Sequence, residues 1–378
     1  MRPMISRLFV VAAIVAGPAH PLTAQVTWTV DRAPLLDVPG LGADGKVIFG
    51  YAAGAMRLAD GALLIADRAE NAVRLVDGAG KLVRTIGRTG DGPGEFRSII
   101  SAVGCGSDSL LIWDLRSNRG SMVSAGGGVR QFTIAASDTA QSPFRFSCGT
   151  TRTMAYVGSP KPAPGSMPNP DPTIIAIAGA LYRVNGDGRI QQRFGDIAAG
   201  EMLMLTSPSG GRGGAPRPLG RAAAMAVVGS NVVIGAPDSA IATIIGSDGT
   251  RRDIRLPITP RAPTRAEYET AVAATASMIP GPMRSQMAEQ IAAAPMPARI
   301  PAIAALFADP DGLLWVQSSP AGAKAIDFVV ARLDGTIVTR VQAPAALTVF
   351  EVGRDYILGS YTDAEDETHV AVYRLRRK

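Results

Sequence analysis

Short apolar runs alternate with tight turns between Met56 and Phe96, and this spacing predicts strands. The runs are Ala62–Ala66, Ala72–Val76 and Leu82–Ile86, and each is preceded by a turn signal: Asp60-Gly61, Asp67–Asn71 and Asp77–Gly80. Runs of this length, rich in Val, Ile and Leu and bounded by Asp and Gly, are typical of an antiparallel meander. One such sheet cannot bury both of its faces, so it needs similar neighbours.

The rest of the chain supplies those neighbours. Ser109–Ile134 aligns with Ala62–Ile86 almost residue for residue, and later units are predicted in four segments: 144–194, 223–256, 303–341 and 347–378. The last unit is one strand short, and Val26–Val38 at the other end of the chain is a spare strand. Pairing the two ends would close a ring and remove its open edges.

The segment "GDGPGEF" (Gly90–Phe96), followed by a strand, a turn and a second copy of the "LLIADRAENAVRLVDGAGKLV" pattern, resembles the NHL-type repeats of six-bladed β-propellers. The resemblance is good over the first two units and general over the rest. We therefore predict an all-β, six-bladed β-propeller of four-stranded antiparallel blades, closed by the N-terminal strand. The resemblance implies a fold and says little about activity.

One insertion, residues 257–301 between blades four and five, is predicted to be helical. Thr264 and Glu267 form a capping box after Pro263, in which each side chain binds an unpaired backbone N–H. Helices are expected over Tyr268–Met278 and Met283–Ala293. A seventh blade would have to be hidden in this same segment.

Residues 1–24 are predicted to be a signal peptide. Arg2 and Arg7 precede or flank the apolar run Leu8–Ala16, and small residues precede Gln25. The run is too short to span a bilayer, which takes about 20 residues. We therefore expect a periplasmic or secreted protein, without a membrane span, whose residues 25–378 form one propeller domain.

Charge and composition exclude few partners. Without Arg2 and Arg7 the formal net charge falls from +6 to +4, and basic residues are not clustered as nucleic-acid binding requires. We therefore expect no nucleic-acid partner. We also expect the protein to be a monomer. The two cysteines, Cys105 and Cys148, are predicted to form a disulfide between adjacent blades, because an even number in an oxidising compartment favours pairing.

The two ends of the predicted blades differ in loop length. The turns that join the first strand of a blade to the second, and the third to the fourth, are short throughout; we call this side the turn face. The other side, the loop face, carries every long segment: Arg88–Glu95, Gly158–Pro172, Ala198–Gly220, Pro257–Pro301 and Gln317–Lys324. Loops on a rigid scaffold are where binding residues concentrate, so we expect function there.

Ligand-binding candidates are the polar residues at the loop-face ends of the first two blades: Asp67, Arg68, Asn71, Arg97, Asp114, Arg116 and Asn118. The arginines suit an anionic ligand. No cofactor is required, although Asp67 and Asp114 could contribute to a calcium site if they converge. The plainer interpretation is that these aspartates cap turns. "GGRGGAP" (Gly210–Pro216) is predicted to be a loop, and His369 a solvated turn residue.

Catalytic signatures are absent from the sequence, which has no G-x-S-x-G or G-K-[ST] motif and, after the leader, only one histidine. We therefore expect a non-enzymatic binding module for a peptide, saccharide or protein. The alternative is a hydrolase or lyase similar to lactonase-like or streptogramin-lyase-like propellers, with a metal held by carboxylates and asparagine.

Overall fold

The computed structural model describes residues 27–42, 45–134, 142–159, 174–207, 210–236, 238–277, 279, 281–318, 325–344 and 347–378. The predicted signal peptide lies outside the described residues. Strands of the first three blades occur in chain order. Blade one contains β2 (Ala52–Arg57), β3 (Leu63–Asp67), β4 (Ala72–Val76) and β5 (Leu82–Ile86). Blade two contains β6 (Ile99–Cys105), β7 (Ser109–Asp114), β8 (Arg119–Ser124) and β9 (Val129–Thr133). Blade three contains β10 (Ser142–Cys148), β11 (Met154–Ser159), β12 (Ile174–Val184), β13 (Ile190–Thr206) and β14 (Arg212–Pro216).

The remaining blades each have four strands. Blade four contains β15 (Ala224–Val228), β16 (Asn231–Gly235), β17 (Ile241–Ile245) and β18 (Arg251–Arg255). Helices α1 (Arg265–Ser277) and α2 (Gly281–Ala293) follow, and we call this pair the helical hairpin. Blade five contains β19 (Ala305–Ala308), β20 (Leu314–Gln317), β21 (Ala325–Ala331) and β22 (Ile337–Pro344). Blade six contains β23 (Thr348–Val352), β24 (Tyr356–Thr362), β25 (Thr368–Arg377) and, as its outer strand, β1 (Trp28–Pro39).

The ring closes as predicted. Strand β1 pairs antiparallel with β25, from Trp28 opposite Arg377 to Pro39 opposite His369, so the two ends of the chain share one sheet. Trp28 packs on Trp315 of blade five, with ring centroids 5.7 Å apart. The closure therefore gives blade six its fourth strand and brings it against blade one through the apolar cluster between them.

Burial explains the sequence pattern of each blade. All residues of the second strands β3 and β7 are buried, because both faces of each blade pack against neighbouring blades. The outer strand β5 is largely exposed. Six apolar clusters lie between successive blades around the ring, and a seventh lies between blade three and the helical hairpin.

The "GDGPGEF" segment links blades one and two, and its first glycine, Gly90, is required for a steric reason. Phe96 is fully buried in the cluster between these blades. The Glu95 carboxylate accepts from the N–H of Gly92 at 2.8 Å, and a Cβ on Gly90 would lie 2.1 Å from Oε2 of Glu95. A side chain at position 90 would therefore displace the carboxylate that holds the loop.

The predicted disulfide is confirmed. Cys105 and Cys148 are bonded, with Cα atoms 5.0 Å apart, and they end the innermost strands of blades two and three. Both lie at the turn face. The bond therefore fastens neighbouring blades on the side opposite to the long loops.

Blade three departs from the prediction. It has five strands, and Ala198–Gly220, expected as a loop, contains the end of β13 and all of β14. The "GGRGGAP" segment likewise contains a strand, because β14 pairs with β13 from Met202 opposite Pro216 to Thr206 opposite Arg212. Within β12, only Ala180–Val184 pairs with β11. The rest of β12, the end of β13 and all of β14 therefore project from the loop face, and we call this projection the ribbon.

The helical hairpin packs on the ribbon. Leu203 and Leu205 of β13 contact Met287 and Ile291 of α2 in the seventh apolar cluster. The side-chain amide of Gln290 accepts from the N–H of Thr206 at 2.9 Å and donates to its carbonyl at 2.8 Å. The predicted helical insertion therefore forms one body with the unpredicted ribbon.

The capping box of α1 is also confirmed. Thr264 N–H donates to Glu267 Oε2 at 2.9 Å, and Glu267 N–H donates to Thr264 Oγ1 at 3.2 Å. Neither helix of the described chain is long and apolar enough to cross a membrane.

Candidate functional site

Asp67, the first of the predicted ligand-binding residues, is completely buried, and its hydrogen-bond donors in the described structure all belong to residues 50–74. Its Oδ1 accepts from the N–H groups of Gly50 at 3.2 Å, Tyr51 at 3.4 Å and Ala69 at 3.1 Å. Its Oδ2 accepts from Arg74 at 2.8 Å. A cation at Asp67 would have to displace these donors.

Asp114 takes the equivalent place in blade two. Its oxygens accept from the N–H groups of Arg97 at 2.7 Å, Ser98 at 3.0 Å and Arg116 at 3.1 Å. Burial disfavours the ionised form, but hydrogen bonds from Arg97, Ser117 and Ser98 outweigh it and lower the pKa of Asp114. Asp67 and Asp114 thus perform the same turn-capping task in successive blades.

The other predicted residues surround these two caps. Asn71 and Asn118 adopt left-handed backbone conformations, with φ of 51° and 50°, which asparagine tolerates better than most residues. Asn71 also accepts from the N–H of Ile99 at 3.1 Å, which links blades one and two. The side chains of Arg68 and Arg116 are exposed, and that of Arg97 pairs with Asp91. The structure therefore groups these residues at two adjacent blade ends, where their ligand-binding role stays a prediction.

A cleft of about 200 Å³ lies elsewhere on the loop face, between α1 and the connections that lead into β15 and β19. Its lining is mainly aliphatic and is formed by Arg217, Leu219, Ala222, Ala271, Ala274, Thr275, Ile300 and Ile303, with nearby Pro and Gly residues. Because β15 and β19 are innermost strands, this cleft adjoins the central channel of the ring. We call this space the cleft.

A partly buried ion network, with Glu201 and Arg217 largely covered and Arg221 and Asp238 exposed, holds the wall of the cleft. The Glu201 carboxylate of the ribbon pairs with Arg217 at 3.0 Å and with Arg221 at 2.8 Å, and Arg221 also pairs with Asp238 at 3.1 Å. Arg217 additionally donates to the carbonyl of Pro295, just after α2, at 2.9 Å. The network thus ties the ribbon, the turn before blade four and the helical hairpin together.

Leu219 in this wall has a strained backbone. It adopts φ of 53° in the turn Arg217–Gly220, a conformation that is costly for a residue with a bulky side chain. Its side chain is half-exposed and lines the cleft. Strain of this kind, on the order of 1–3 kcal/mol, persists where surrounding structure imposes it and is concentrated at functional sites.

The Glu201 network gives a first testable prediction, on pH. Burial alone would raise the pKa of Glu201, but hydrogen bonds from Arg221 and Arg217 lower it below its ordinary value of 4.5. A carboxylate with a lowered folded-state pKa contributes stability that is complete above pH 4.5 and is lost as the pH falls through the folded-state pKa. We expect Glu201→Gln to lower the melting temperature clearly at pH 7 and much less at pH 3.

The measurement is thermal unfolding of both proteins across this pH range. Glu269→Gln is the matched control, because Glu269 forms only an exposed pair with Arg265. Its melting temperature should stay close to that of the unchanged protein at both pH values. If Glu201→Gln lowered the melting temperature by the same amount at pH 3 and pH 7, the prediction would be contradicted.

The central channel opens on the turn face and contains two charged groups that the sequence-based prediction missed. This space, about 280 Å³, is lined by Arg145 of β10 and Glu351 of β23 among apolar residues. Glu351 accepts from the Arg57 N–H and from the Tyr356 hydroxyl, both at 2.8 Å, and burial raises its pKa. A charged residue between aromatic or aliphatic residues, as in Phe144-Arg145-Phe146, is the sequence signal that could have identified both.

His369 was predicted to be a solvated turn residue, and this prediction is wrong. Its side chain is only 14% exposed and contacts Asp37 through Nδ1 at 3.0 Å and Asp363 through Nε2 at 3.2 Å. Burial disfavours the imidazolium, but the two carboxylates outweigh this effect and raise the pKa of His369. Among the described residues, Asp363, Glu367 and His369 are the one group whose ligand atoms lie close enough to hold a metal ion.

The six antiparallel sheets, joined into a ring by β1, define the chain as a six-bladed β-propeller. No family model and no curated protein matches it. Among solved structures it is similar to virginiamycin B lyase from Staphylococcus aureus, at 10% identity and a TM-score of 0.43, over 93% of this chain and 100% of the other.

Two further solved structures are similar at the same level. A Bacteroides fragilis protein described as exported has 12% identity and a TM-score of 0.47, over 95% of this chain and 98% of the other. A gluconolactonase from Xanthomonas campestris has 12% identity and a TM-score of 0.43, over 91% and 99% of the two chains. At such identities and scores we assign no activity from these proteins.

Proposed function

We propose that this chain is an exported β-propeller that binds an extended peptide segment of a partner protein on its loop face. The observation that carries the proposal is the cleft, where the ribbon and the helical hairpin meet the innermost strands. Its volume suits one or two aliphatic side chains rather than a large cofactor. The disulfide is consistent with export to an oxidising compartment.

The chemistry of the lining favours a peptide over a saccharide. The described lining residues are aliphatic, apart from Thr275 and Arg217, and include no aromatic ring on which a sugar could stack. The buried Nε–H of Arg217 has no acceptor in the described structure. A peptide carbonyl would satisfy this donor after a small side-chain shift, while an aliphatic side chain fills the cleft.

Selection from a random heptapeptide library, followed by calorimetric titration of an enriched synthetic peptide, tests this proposal. We expect enrichment of peptides with a Leu, Ile or Val anchor. Ala274→Trp should weaken binding at least tenfold, because Ala274 is exposed, lines the cleft and would place an indole in it.

Ala273→Trp is the matched control. Ala273 is the preceding residue of α1, is also exposed and is not among the residues that line the cleft. Binding to this variant should equal binding to the unchanged protein. Absence of any enriched peptide, or an equal loss of affinity in the two tryptophan variants, would reject the cleft as the peptide site.

A further inference from the structure

Five side chains form a polar cluster where the ring closes, at the loop-face end of blade six. They are Asp37 of β1, Tyr361 of β24, Asp363 and Glu367 of the following turn, and His369 of β25; we call them the His369 cluster. The cluster is distant in sequence from the cleft-lining residues, and the proposed peptide binding does not use it. Its geometry nevertheless places metal-binding atoms together.

Asp37 fixes the orientation and the proton of the imidazole. One oxygen of Asp37 accepts from the Tyr361 hydroxyl at 2.6 Å, and the other lies 3.0 Å from His369 Nδ1. An ionised carboxylate can only accept, so Nδ1 must carry a hydrogen. The Tyr361 ring also stacks on the imidazole, with centroids 4.7 Å apart, which prevents the ring from turning.

The other ring nitrogen faces a carboxylate, to which it donates as an imidazolium and offers its lone pair as a neutral imidazole. In the neutral imidazole, Nε2 is an acceptor, and it lies 3.2 Å from Asp363 Oδ2, which is also an acceptor. The second oxygen of Asp363 is already occupied by the N–H groups of Glu365 at 3.1 Å and Glu367 at 2.8 Å. Either the second proton of the imidazole or a cation that replaces this proton can lie between the two atoms.

The spacing suits a small divalent ion. The ligand atoms of Asp363, Glu367 and His369 all lie within 4.8 Å of one another. Zn–N and Zn–O bonds of roughly 2.0–2.2 Å put tetrahedral ligand atoms about 3.3 Å apart. The Nε2–Oδ2 pair already has this separation, so Glu367, in a surface turn, is the ligand that would move.

We propose that the His369 cluster is a binding site for a borderline first-row divalent cation, represented by Zn²⁺. His369 Nε2, Asp363 and Glu367 are its protein ligands, water completes the coordination, and Asp37 is a positioning residue for the imidazole. One nitrogen and two carboxylates suit Zn²⁺ rather than Ca²⁺, which takes six to eight oxygen ligands. Carboxylate–histidine–metal arrangements of this kind are the usual support of a metal-bound imidazole.

The site has a structural consequence for ring closure. Glu367 Oε1 accepts from the N–H of Leu41 at 2.5 Å, and Asp37 belongs to β1, so both ends of the chain meet the proposed ligands. A cation bound to the folded protein would therefore stabilise the closure by mass action. Thermal stability should rise with Zn²⁺ concentration.

The experiment is a Zn²⁺ titration of untagged, chelator-treated protein that carries His20→Ala, so that His369 is its only histidine. We expect one Zn²⁺ per chain by calorimetry and a shift of the Nε2 resonance of the single imidazole by NMR. Ca²⁺ at the same concentrations should leave this resonance unchanged. Absence of a Zn²⁺-dependent shift up to 1 mM, a concentration corresponding to about −4.1 kcal/mol of binding free energy, overturns the proposal.

Three variants separate ligands from neighbours. Glu367→Gln should weaken Zn²⁺ binding at least tenfold, and Asp37→Asn should weaken it about 10- to 100-fold. Glu365→Gln is the matched control, because Glu365 is exposed in the same turn and is not one of the grouped ligands. Equal Zn²⁺ affinities of the Glu367→Gln and Glu365→Gln variants would overturn the assignment of Glu367 as a ligand. If a variant fails to fold, the Zn²⁺-dependent shift of the His369 resonance in the His20→Ala protein, whose cluster is intact, decides whether the site binds Zn²⁺.

Discussion

Replacing Asp67 by alanine is expected to lower the free energy of unfolding by about 3–5 kcal/mol, the usual effect of breaking a buried ion pair. The variant leaves the guanidinium of Arg74, which is 12% exposed, without its carboxylate. It also leaves the N–H groups of Gly50, Tyr51 and Ala69 without their acceptor. Urea denaturation followed by circular dichroism measures the loss.

Asp60→Ala is the matched control for this effect. Asp60 also caps a turn of blade one, but it is exposed and accepts only the N–H of Ala62, at 3.0 Å. Its loss should cost about 1 kcal/mol or less. Asp114→Ala removes the equivalent buried cap of blade two but breaks none of the ion pairs found in the described residues, so its effect should lie between those of Asp67→Ala and Asp60→Ala.

The pair of variants distinguishes structural from ligand-binding roles. A residue whose purpose is to hold a ligand can be removed from the unliganded protein with little loss of stability, and often with a gain. If Asp67→Ala and Asp60→Ala unfolded at the same urea concentration, the capping role of Asp67 would be refuted. The predicted calcium site at Asp67 and Asp114 would then regain support.

The ring could be predicted from the sequence because its signals are local and repeated. The continuous apolar runs Leu63–Ala66 and Leu110–Trp113 are buried on both faces, and the turns between them recur at matching positions. The spare strand near Val26–Val38 predicted the closure, since an incomplete last blade required one more strand. The repeat also drew attention to Asp67 and Asp114, whose shared position reflects the shared turn they cap.

The ribbon was missed because its strands depend on distant contacts. Arg212–Pro216 is a Gly- and Pro-rich segment with low strand propensity, and it forms β14 by pairing with the extended end of β13. That extension is in turn covered by α2, more than 80 residues later, through the Gln290–Thr206 hydrogen bonds. Propensity within a short window cannot show such support.

The His369 cluster was missed for a related reason. Asp37 and His369 are 332 residues apart, and they meet only because β1 pairs with β25 in the register that places Pro39 opposite His369. The sequence predicted the pairing of these strands but not its register. A shift of one residue would have placed Asp37 on the other face of the sheet.

Removing the disulfide is the second change with a large expected effect. The double variant Cys105→Ala/Cys148→Ala should lower the free energy of unfolding by about 4 kcal/mol, since the bond spans 43 residues and its loss frees the unfolded chain. The folded state should change little, because Cys105 is buried in the apolar cluster between blades two and three and alanine keeps this position apolar.

Reduction provides the internal control for this prediction. Dithiothreitol should lower the urea midpoint of the unchanged protein to about that of the double variant, and it should leave the double variant unaffected. Because the bond joins the turn-face ends of β6 and β10, whereas the cleft lies on the loop face, peptide binding by the folded double variant should be unchanged. A double-variant midpoint equal to that of the oxidised, unchanged protein would contradict the prediction, and contacts such as Trp113 against Phe146, with ring centroids 5.0 Å apart, would then be enough to hold these blades together.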